Sequence, residues 1–97
     1  MAAYVIAQVD IHDPATFKKY GDAVPATIKQ YGGKYCVRGG AVTPKEGGWN
    51  PTRVIVLEFP DMATAHKWYD SPEYQAIIGD RFKGSKGQMI FVEGYQG

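Results

Sequence analysis

The alternation of apolar and polar residues predicts four strands. They cover residues 3–11, 34–43, 53–59 and 88–93. The first is rich in β-branched and apolar side chains and stops at His12-Asp13-Pro14, which is typical of a strand followed by the start of a helix. Gly39-Gly40 interrupts the second strand and favours a bulge or a bend there, and a turn over residues 44–51 precedes the third.

A helix is predicted between the first two strands. Its apolar residues recur at steps of three and four and form one stripe, made of Phe17, Tyr20, Val24, Ile28 and Tyr31. Asp13 is the expected N-cap, and Gly32-Gly33 ends the helix. Pro25 removes the hydrogen bond to the carbonyl of Gly21, so we expect a kink or a break into two pieces at this position.

A second helical region follows the third strand. Pro60-Asp61 repeats the strand stop and the N-cap, and Ser71-Pro72 restarts the helix. The two halves of the chain correspond at an offset of 48 residues, at Asp13 and Asp61, Ala15 and Ala63, Thr16 and Thr64, Lys19 and Lys67, and Tyr20 and Trp68. The order β-α-β-β-α-β predicts a ferredoxin-like α+β fold, an antiparallel four-stranded sheet with both helices on one face. We expect one domain, residues 1–97.

The sheet face away from the helices, called the outer face below, is predicted to be partly apolar. Alternation gives it Tyr4, Ile6, Gln8 and Asp10 from the first strand and Val54, Val56 and Glu58 from the third. With both helices on the other side, these apolar residues need a cover. A second copy of the chain supplies this cover, because a two-fold contact is self-complementary. The sequence therefore predicts a homodimer through the sheet face.

Polar side chains on the outer face predict a ligand site. Tyr4, Gln8, Arg38 and Glu58 are the expected lining of a dimer-associated small-molecule pocket. A hairpin centred near residues 47 and 48 sets Arg38 opposite Glu58, whereas a one-residue shift at Gly39-Gly40 sends Arg38 to the helix side. In such a pocket Arg38 would hold a carboxylate, phenolate or enolate oxygen, and Glu58 would orient Arg38 or accept a proton. A purely structural ion pair is the alternative.

Two other side chains are candidates for chemistry. His12 follows the first strand, where it is either a general base at the end of the sheet or a solvated loop residue. Cys36 precedes Arg38 by two positions, which allows a reactive thiol beside a cation, although a buried small hydrophobic residue is the favoured interpretation. The catalytic candidates are therefore Arg38, Glu58 and His12.

Composition narrows the classes of partner. A single cysteine excludes an internal disulfide, argues against a metal site and fits the reducing cytoplasm. The net charge is +1, and positive and negative residues are interspersed along the chain. This pattern predicts no basic surface of the kind that binds nucleic acid or an anionic membrane. The longest apolar run, residues 1–7, is too short for a signal core or a membrane span. We expect a cytoplasmic protein without nucleic-acid, membrane or metal partners.

Six segments of the chain together resemble the bacterial family known as domain of unknown function 1330. They are residues 4–10 (YVIAQVD), 24–28 (VPATI), 31–35 (YGGKY), 37–40 (VRGG), 57–61 (LEFPD) and 68–75 (WYDSPEYQ). The resemblance covers nearly the whole chain and implies a ferredoxin-like subunit of the dimeric α+β barrel superfamily.

The resemblance leaves two hypotheses for function. Superfamily relatives include cofactor-free monooxygenases, lactone isomerases, haem enzymes and small-molecule sensors, and fold-level analogy does not choose among them. One hypothesis is an enzyme that needs no cofactor and acts on a small aromatic or oxo compound in a dimer-associated pocket. The other is a non-catalytic dimeric module that binds a small molecule or takes part in a stress response.

Overall fold

The computed structural model describes residues 1–96 and contains one four-stranded antiparallel sheet in the order β2-β3-β1-β4. The elements in chain order are β1 (Ala3–Ile11), α1 (Pro14–Gln30), β2 (Lys34–Arg38), β3 (Val54–Phe59), α2 (Met62–Asp70), α3 (Pro72–Gln75), α4 (Ile78–Gly84) and β4 (Ser85–Glu93). The predicted ferredoxin-like α+β fold is confirmed. The second helical region is divided into α2, α3 and α4, with the predicted restart at Ser71-Pro72.

The central strand β1 shows why the helices pack on one face only. Ala3, Val5, Ala7 and Val9 are buried, whereas the residues between them are only partly buried. Leu57 and Phe59 of β3 join Val5 in the core that the helices cover. The period of two therefore assigns the faces of β1 and β3 as predicted.

The core between sheet and helices is aromatic and its polar atoms are paired. The rings of Trp68 and Tyr74 lie 4.2 Å apart, and the Trp68 indole Nε1 donates to Thr27 Oγ1 (3.0 Å). The hydroxyls of Tyr20 and Tyr74 share a hydrogen bond of 2.8 Å. Burial raises the pKa of both tyrosines, so the phenols stay neutral and bonded to each other.

The internal repeat appears as two equivalent helix N-caps. The Asp13 carboxylate accepts the backbone N–H of Thr16 (3.2 Å), and the Asp61 carboxylate accepts that of Thr64 (2.7 Å). Hydrogen bonding to the threonine side chains, together with these backbone N–H bonds, lowers the pKa of both carboxyl groups, because it favours the ionised form. The two halves of the chain thus start their helices with the same local chemistry.

Helix α1 runs through Pro25 without the break that the sequence predicts. It is one helix from Pro14 to Gln30. Pro25 has no N–H for the carbonyl of Gly21, and Arg38 Nη2 donates to that carbonyl instead (3.0 Å). A side chain from β2 therefore replaces the missing backbone hydrogen bond, which explains why the helix continues.

The segment between β2 and β3 departs most from the prediction. β2 ends at Arg38 rather than at residue 43, and residues 39–53 contain no helix or strand. The bulge lies at Cys36, between Tyr35 and Val37, rather than at Gly39-Gly40. The long connection that results between β2 and β3 lies beside the outer face.

β4 also differs from the prediction, since it starts at Ser85 rather than at residue 88.

Candidate functional site

An apolar stripe crosses the outer face on all four strands. Ile6 of β1 lies opposite Ile90 of β4 on one side and Val56 of β3 on the other, and Val56 in turn lies opposite Val37 of β2. Ile90 is 60% exposed and Val37 38% exposed. The helices pack on the opposite face of the sheet, so no helix of residues 1–96 covers this stripe, and an exposed apolar patch of this kind is typical of an interaction site.

A polar cluster flanks the stripe on one side. The Tyr4 hydroxyl donates to Glu58 Oε1 (3.2 Å), and Lys34 Nζ lies 3.6 Å from Glu58 Oε2. The negative charge of Glu58 raises the pKa of Tyr4, which keeps the phenol a donor at neutral pH. Glu58 thus accepts a hydrogen bond from Tyr4, forms an ion pair with Lys34, and remains partly exposed.

Trp49 covers the other side of the stripe. Its indole Nε1 donates to Gln8 Oε1 (2.9 Å), and the ring remains 64% exposed. The ring borders an open cavity of about 320 Å³, lined by Ile6, Ala7, Gln8, Trp49, Val54, Gln88, Met89 and Ile90. One hydrogen bond therefore joins an aromatic ring of the long loop to the sheet at an apolar hollow.

The polar groups of this cavity are amides. Gln8 lies opposite Gln88 across the β1–β4 pair, and both side chains line the hollow. Because Gln8 Oε1 accepts the indole N–H, the Gln8 amide N–H groups remain as donors. Such a lining suits an apolar molecule that carries one or two hydrogen-bonding oxygen atoms.

The predicted pairing of Arg38 with Glu58 is wrong. Glu58 lies opposite Lys34, and Arg38 lies opposite Ile55, three residues along β3 from its predicted partner. The extra residue at Cys36 reverses the alternation of the residues after it, so Arg38 lies on the helix side, the alternative expected for a one-residue shift at Gly39-Gly40.

The other predicted pocket residues divide between two places on the outer face. Tyr4 and Glu58 contact each other in the polar cluster. Gln8 lies four residues further along β1, a distance of about 13 Å at the usual rise of a strand, and lines the Trp49 cavity. A ligand-binding role for Tyr4, Gln8 and Glu58 stays a prediction. Trp49 was missed because it stands in a loop without periodicity, between Gly48 and Asn50-Pro51.

His12 and Cys36 lie outside the Trp49 cavity. His12 is exposed, and its backbone N–H donates to the carbonyl of Gly84. The expectation of a buried Cys36 is wrong, since the bulge on the edge strand β2 leaves this residue exposed. Within residues 1–96 no group of three or more histidine, cysteine, aspartate or glutamate side chains is placed to hold a metal ion.

We expect Arg38→Met to destabilise the fold by about 1 kcal/mol, because the carbonyl of Gly21 loses its side-chain donor. In a Pro25→Ala background the new backbone N–H can donate to that carbonyl, so the same substitution should cost much less. A double-mutant cycle measured by urea unfolding isolates this coupling. Equal costs in the two backgrounds would show that Arg38 does not replace the bond lost at Pro25.

A family model covers nearly the whole chain. A family model described as "Domain of unknown function (DUF1330)" matches residues 2–95. No curated protein matches the sequence. Among residues 1–96, no helix combines the length and the apolar character that a membrane crossing requires.

Solved structures share the fold at low sequence identity. A protein of unknown function from Rhodopseudomonas palustris, RPA0582, superposes with a TM-score of 0.76 at 14% identity, over 99% of this chain and 84% of that one. SnoaB from Streptomyces nogalater, described as a cofactor-independent oxygenase, gives 0.70 at 12% identity over 99% and 95%. A dimeric ferredoxin-like protein of unknown function from Jannaschia sp. CCS1 gives 0.71 at 9% identity over 97% and 100%. At these identities the likeness concerns the fold alone.

Proposed function

Since the chain belongs to the DUF1330 family, whose description assigns no activity, we propose from its own geometry that it is a homodimer that binds a small organic molecule on the outer face. The observation that carries this proposal is the Trp49 ring, which is held by Gln8 over the apolar cavity of about 320 Å³. An exposed tryptophan fixed in this way is a preformed stacking surface.

The lining indicates the class of ligand. Ile6, Val54 and Ile90 supply apolar contact, and the indole supplies a flat face. The amides of Gln8 and Gln88 are neutral, so they suit a carbonyl, hydroxyl or ether oxygen better than a strongly charged group. A small aromatic or oxo compound fits these contacts, with the ring against Trp49 and the oxygen at the amides.

The second copy completes the site in this proposal. The apolar stripe continues from the cavity across the sheet to Val37, and a two-fold partner would bury both together. The dimeric description of the Jannaschia protein supports this arrangement for the shared fold. Burial by the partner would also exclude water from the ligand, which strengthens its hydrogen bonds. The unpaired Cys36 supports the reducing cytoplasm as the compartment.

A second candidate function is catalysis on the bound compound without a cofactor. The description of SnoaB as a cofactor-independent oxygenase supports it by fold-level analogy. Oxygen consumption and product mass, measured with any compound that binds at Trp49, separate the two candidates. Oxygen consumption or a product of changed mass, lost when a competitor displaces the compound from the protein, would favour the enzyme. Recovery of the unchanged compound would favour the binding module.

We expect Trp49→Ala to weaken the binding of a compound found by a thermal-shift screen by about tenfold, since the stacking surface is lost. Trp49→Phe keeps an aromatic face without the indole N–H, so it should retain part of the affinity. Isothermal titration calorimetry with the same compound should give affinities that fall from the wild type to Trp49→Phe to Trp49→Ala. Equal affinity for the wild type and Trp49→Ala would contradict the assignment of the site.

A further inference from the structure

A second cavity lies on the helix side of the sheet, between α2 and β4. It measures about 360 Å³ and is lined by His66, Tyr69, Asp70, Met89 and Phe91. Phe91 lies opposite Val5, a core residue, so it is on the face that the helices cover. β4 is an edge strand of the sheet, so the cavity lies at the border of the molecule, where a ligand has access.

Three aromatic rings line this cavity. The centre of the Phe91 ring lies 5.1 Å from that of His66 and 5.8 Å from that of Tyr69. The planes of Phe91 and Tyr69 meet at 76°, so these two rings form adjoining walls rather than a flat stack. Both residues pack against the core and are only partly buried. The face of an aromatic ring carries a negative electrostatic potential, which attracts cations.

Asp70 adds a full negative charge to the cavity. It follows His66 by four positions on α2, so the two side chains lie on one flank of the helix, and the ring contact of His66 with Phe91 turns this flank toward β4. Within residues 1–96 Asp70 takes part in no salt bridge, and no lysine or arginine lines the cavity. Glu93 lies on the same face of β4, two residues beyond Phe91. The cavity therefore joins aromatic walls to a negative charge that no cation of the described chain compensates.

We propose that this cavity binds a small organic cation with an alkylated ammonium group, its alkyl groups against Tyr69 and Phe91 and its positive charge toward Asp70. An alkylated ammonium group is weakly hydrated, so it gives up little hydration when it meets an aromatic wall. A volume of about 360 Å³ is within the range of small-molecule sites. This site lies on the opposite face of the sheet from Trp49 and does not depend on the function proposed there.

Choline and its uncharged analogue, the alcohol in which a carbon atom replaces the nitrogen, are the matched probes. The two molecules have the same shape, so a difference in affinity reports on the positive charge. At constant ionic strength and about pH 8, where imidazole groups are ordinarily uncharged, choline should bind about tenfold more tightly than the analogue. In ¹⁵N NMR spectra, choline should shift the amide signals of Asp70 and Phe91 in a saturable manner and leave the indole signal of Trp49 in place.

Asp70→Asn removes the charge and keeps the shape of the side chain. It should bind choline about fivefold more weakly than the wild type, whereas the uncharged analogue should bind both proteins equally. Asp22→Asn is the matched control: it makes the same change in net charge at an exposed position of α1, next to Gly21, which contacts β2 at the opposite edge of the sheet. This control should bind choline like the wild type. Because Asp70 is exposed and forms no salt bridge within residues 1–96, Asp70→Asn should melt at the same temperature as the wild type.

Phe91→Leu tests the aromatic wall, since leucine keeps an apolar side chain without a ring face. It should lower the affinity for choline about fivefold and leave that for the uncharged analogue nearly unchanged. Should Phe91→Leu fail to fold, Asp70→Asn and the comparison of the two probes on the wild type decide the question. The proposal is overturned by absence of saturable choline binding, by equal affinity for choline and its uncharged analogue, or by equal choline affinity in Asp70→Asn and the wild type.

Discussion

Val56→Glu is expected to convert the protein from a dimer into a folded monomer. Val56 occupies the middle of the apolar stripe, between Ile6 and Val37, so the proposed two-fold contact buries it. A carboxylate at this point would lose its hydration without gaining a partner, a cost of several kcal/mol in an apolar interface. Light scattering after gel filtration should give about twice the chain mass of 10.7 kDa for the wild type and the single-chain mass for the variant.

The control for this substitution is Lys19→Gln, which lowers the net charge by the same amount on α1, away from the outer face. It should remain a dimer. Circular dichroism should show that Val56→Glu keeps its secondary structure, because Val56 does not belong to the core beneath the helices. A wild type that is monomeric at micromolar concentration would contradict the proposal that a second copy covers the outer face. A Val56→Glu variant that stays dimeric would contradict it as well.

Trp68→Ala is expected to destabilise the fold by about 3–5 kcal/mol, the usual cost of removing a large aromatic side chain from a packed core. Trp68 is 1% exposed, and its ring lies 5.3 Å from Phe59 and 4.2 Å from Tyr74. Its indole also donates to Thr27, so the alanine variant leaves both a cavity and a weakened polar contact. Urea unfolding followed by circular dichroism measures the change in the free energy of unfolding.

Trp49→Ala is the matched control for Trp68→Ala, since Trp49 is the other tryptophan of the chain and is 64% exposed. Its loss should lower the free energy of unfolding clearly less than Trp68→Ala does, because Trp49 does not belong to the core beneath the helices. A cost of Trp68→Ala no larger than that of Trp49→Ala would contradict the description of the core. The pair therefore separates the tryptophan that supports the fold from the one assigned to the ligand site.

Much of the fold follows from local rules that the sequence displays. β1 covers residues 3–11 as predicted, and Asp13 and Asp61 cap their helices as predicted. In both cases the signal is a short-range pattern, either the period of two in a strand or an acceptor side chain before a helix. The helical period likewise places Tyr20 and Val24 in the core.

The features that escaped prediction depend on contacts between distant segments. Pro25 was expected to kink α1 or to break it into two pieces; α1 is one helix, and the donor to the Gly21 carbonyl comes from Arg38 in β2. The position of Arg38 depends in turn on the bulge at Cys36, which no glycine or proline in β2 marks. A bulge of one residue reverses the faces of all later residues in the strand, so one unmarked position changed the predicted site.

The candidate site was predicted only in its location on the sheet. Tyr4, Gln8 and Glu58 are on the outer face as alternation requires, and the apolar stripe between them was foreseen from Ile6 and Val56. Loops carry no period, however, so the placement of a loop ring over the sheet requires the three-dimensional structure.

The most direct test of the central claim is the indole N–H region of the two-dimensional ¹⁵N NMR spectrum, where the two tryptophans give one signal each. The Trp49 indole donates to Gln8 above the cavity, and the Trp68 indole donates to Thr27 in the core. Titration with an uncharged aromatic compound that stabilises the wild type but not Trp49→Ala in a thermal-shift screen should move the Trp49 signal in a saturable manner and leave the Trp68 signal in place. Such a compound leaving the Trp49 signal unchanged, or no uncharged compound stabilising the wild type, would contradict a ligand site on the outer face.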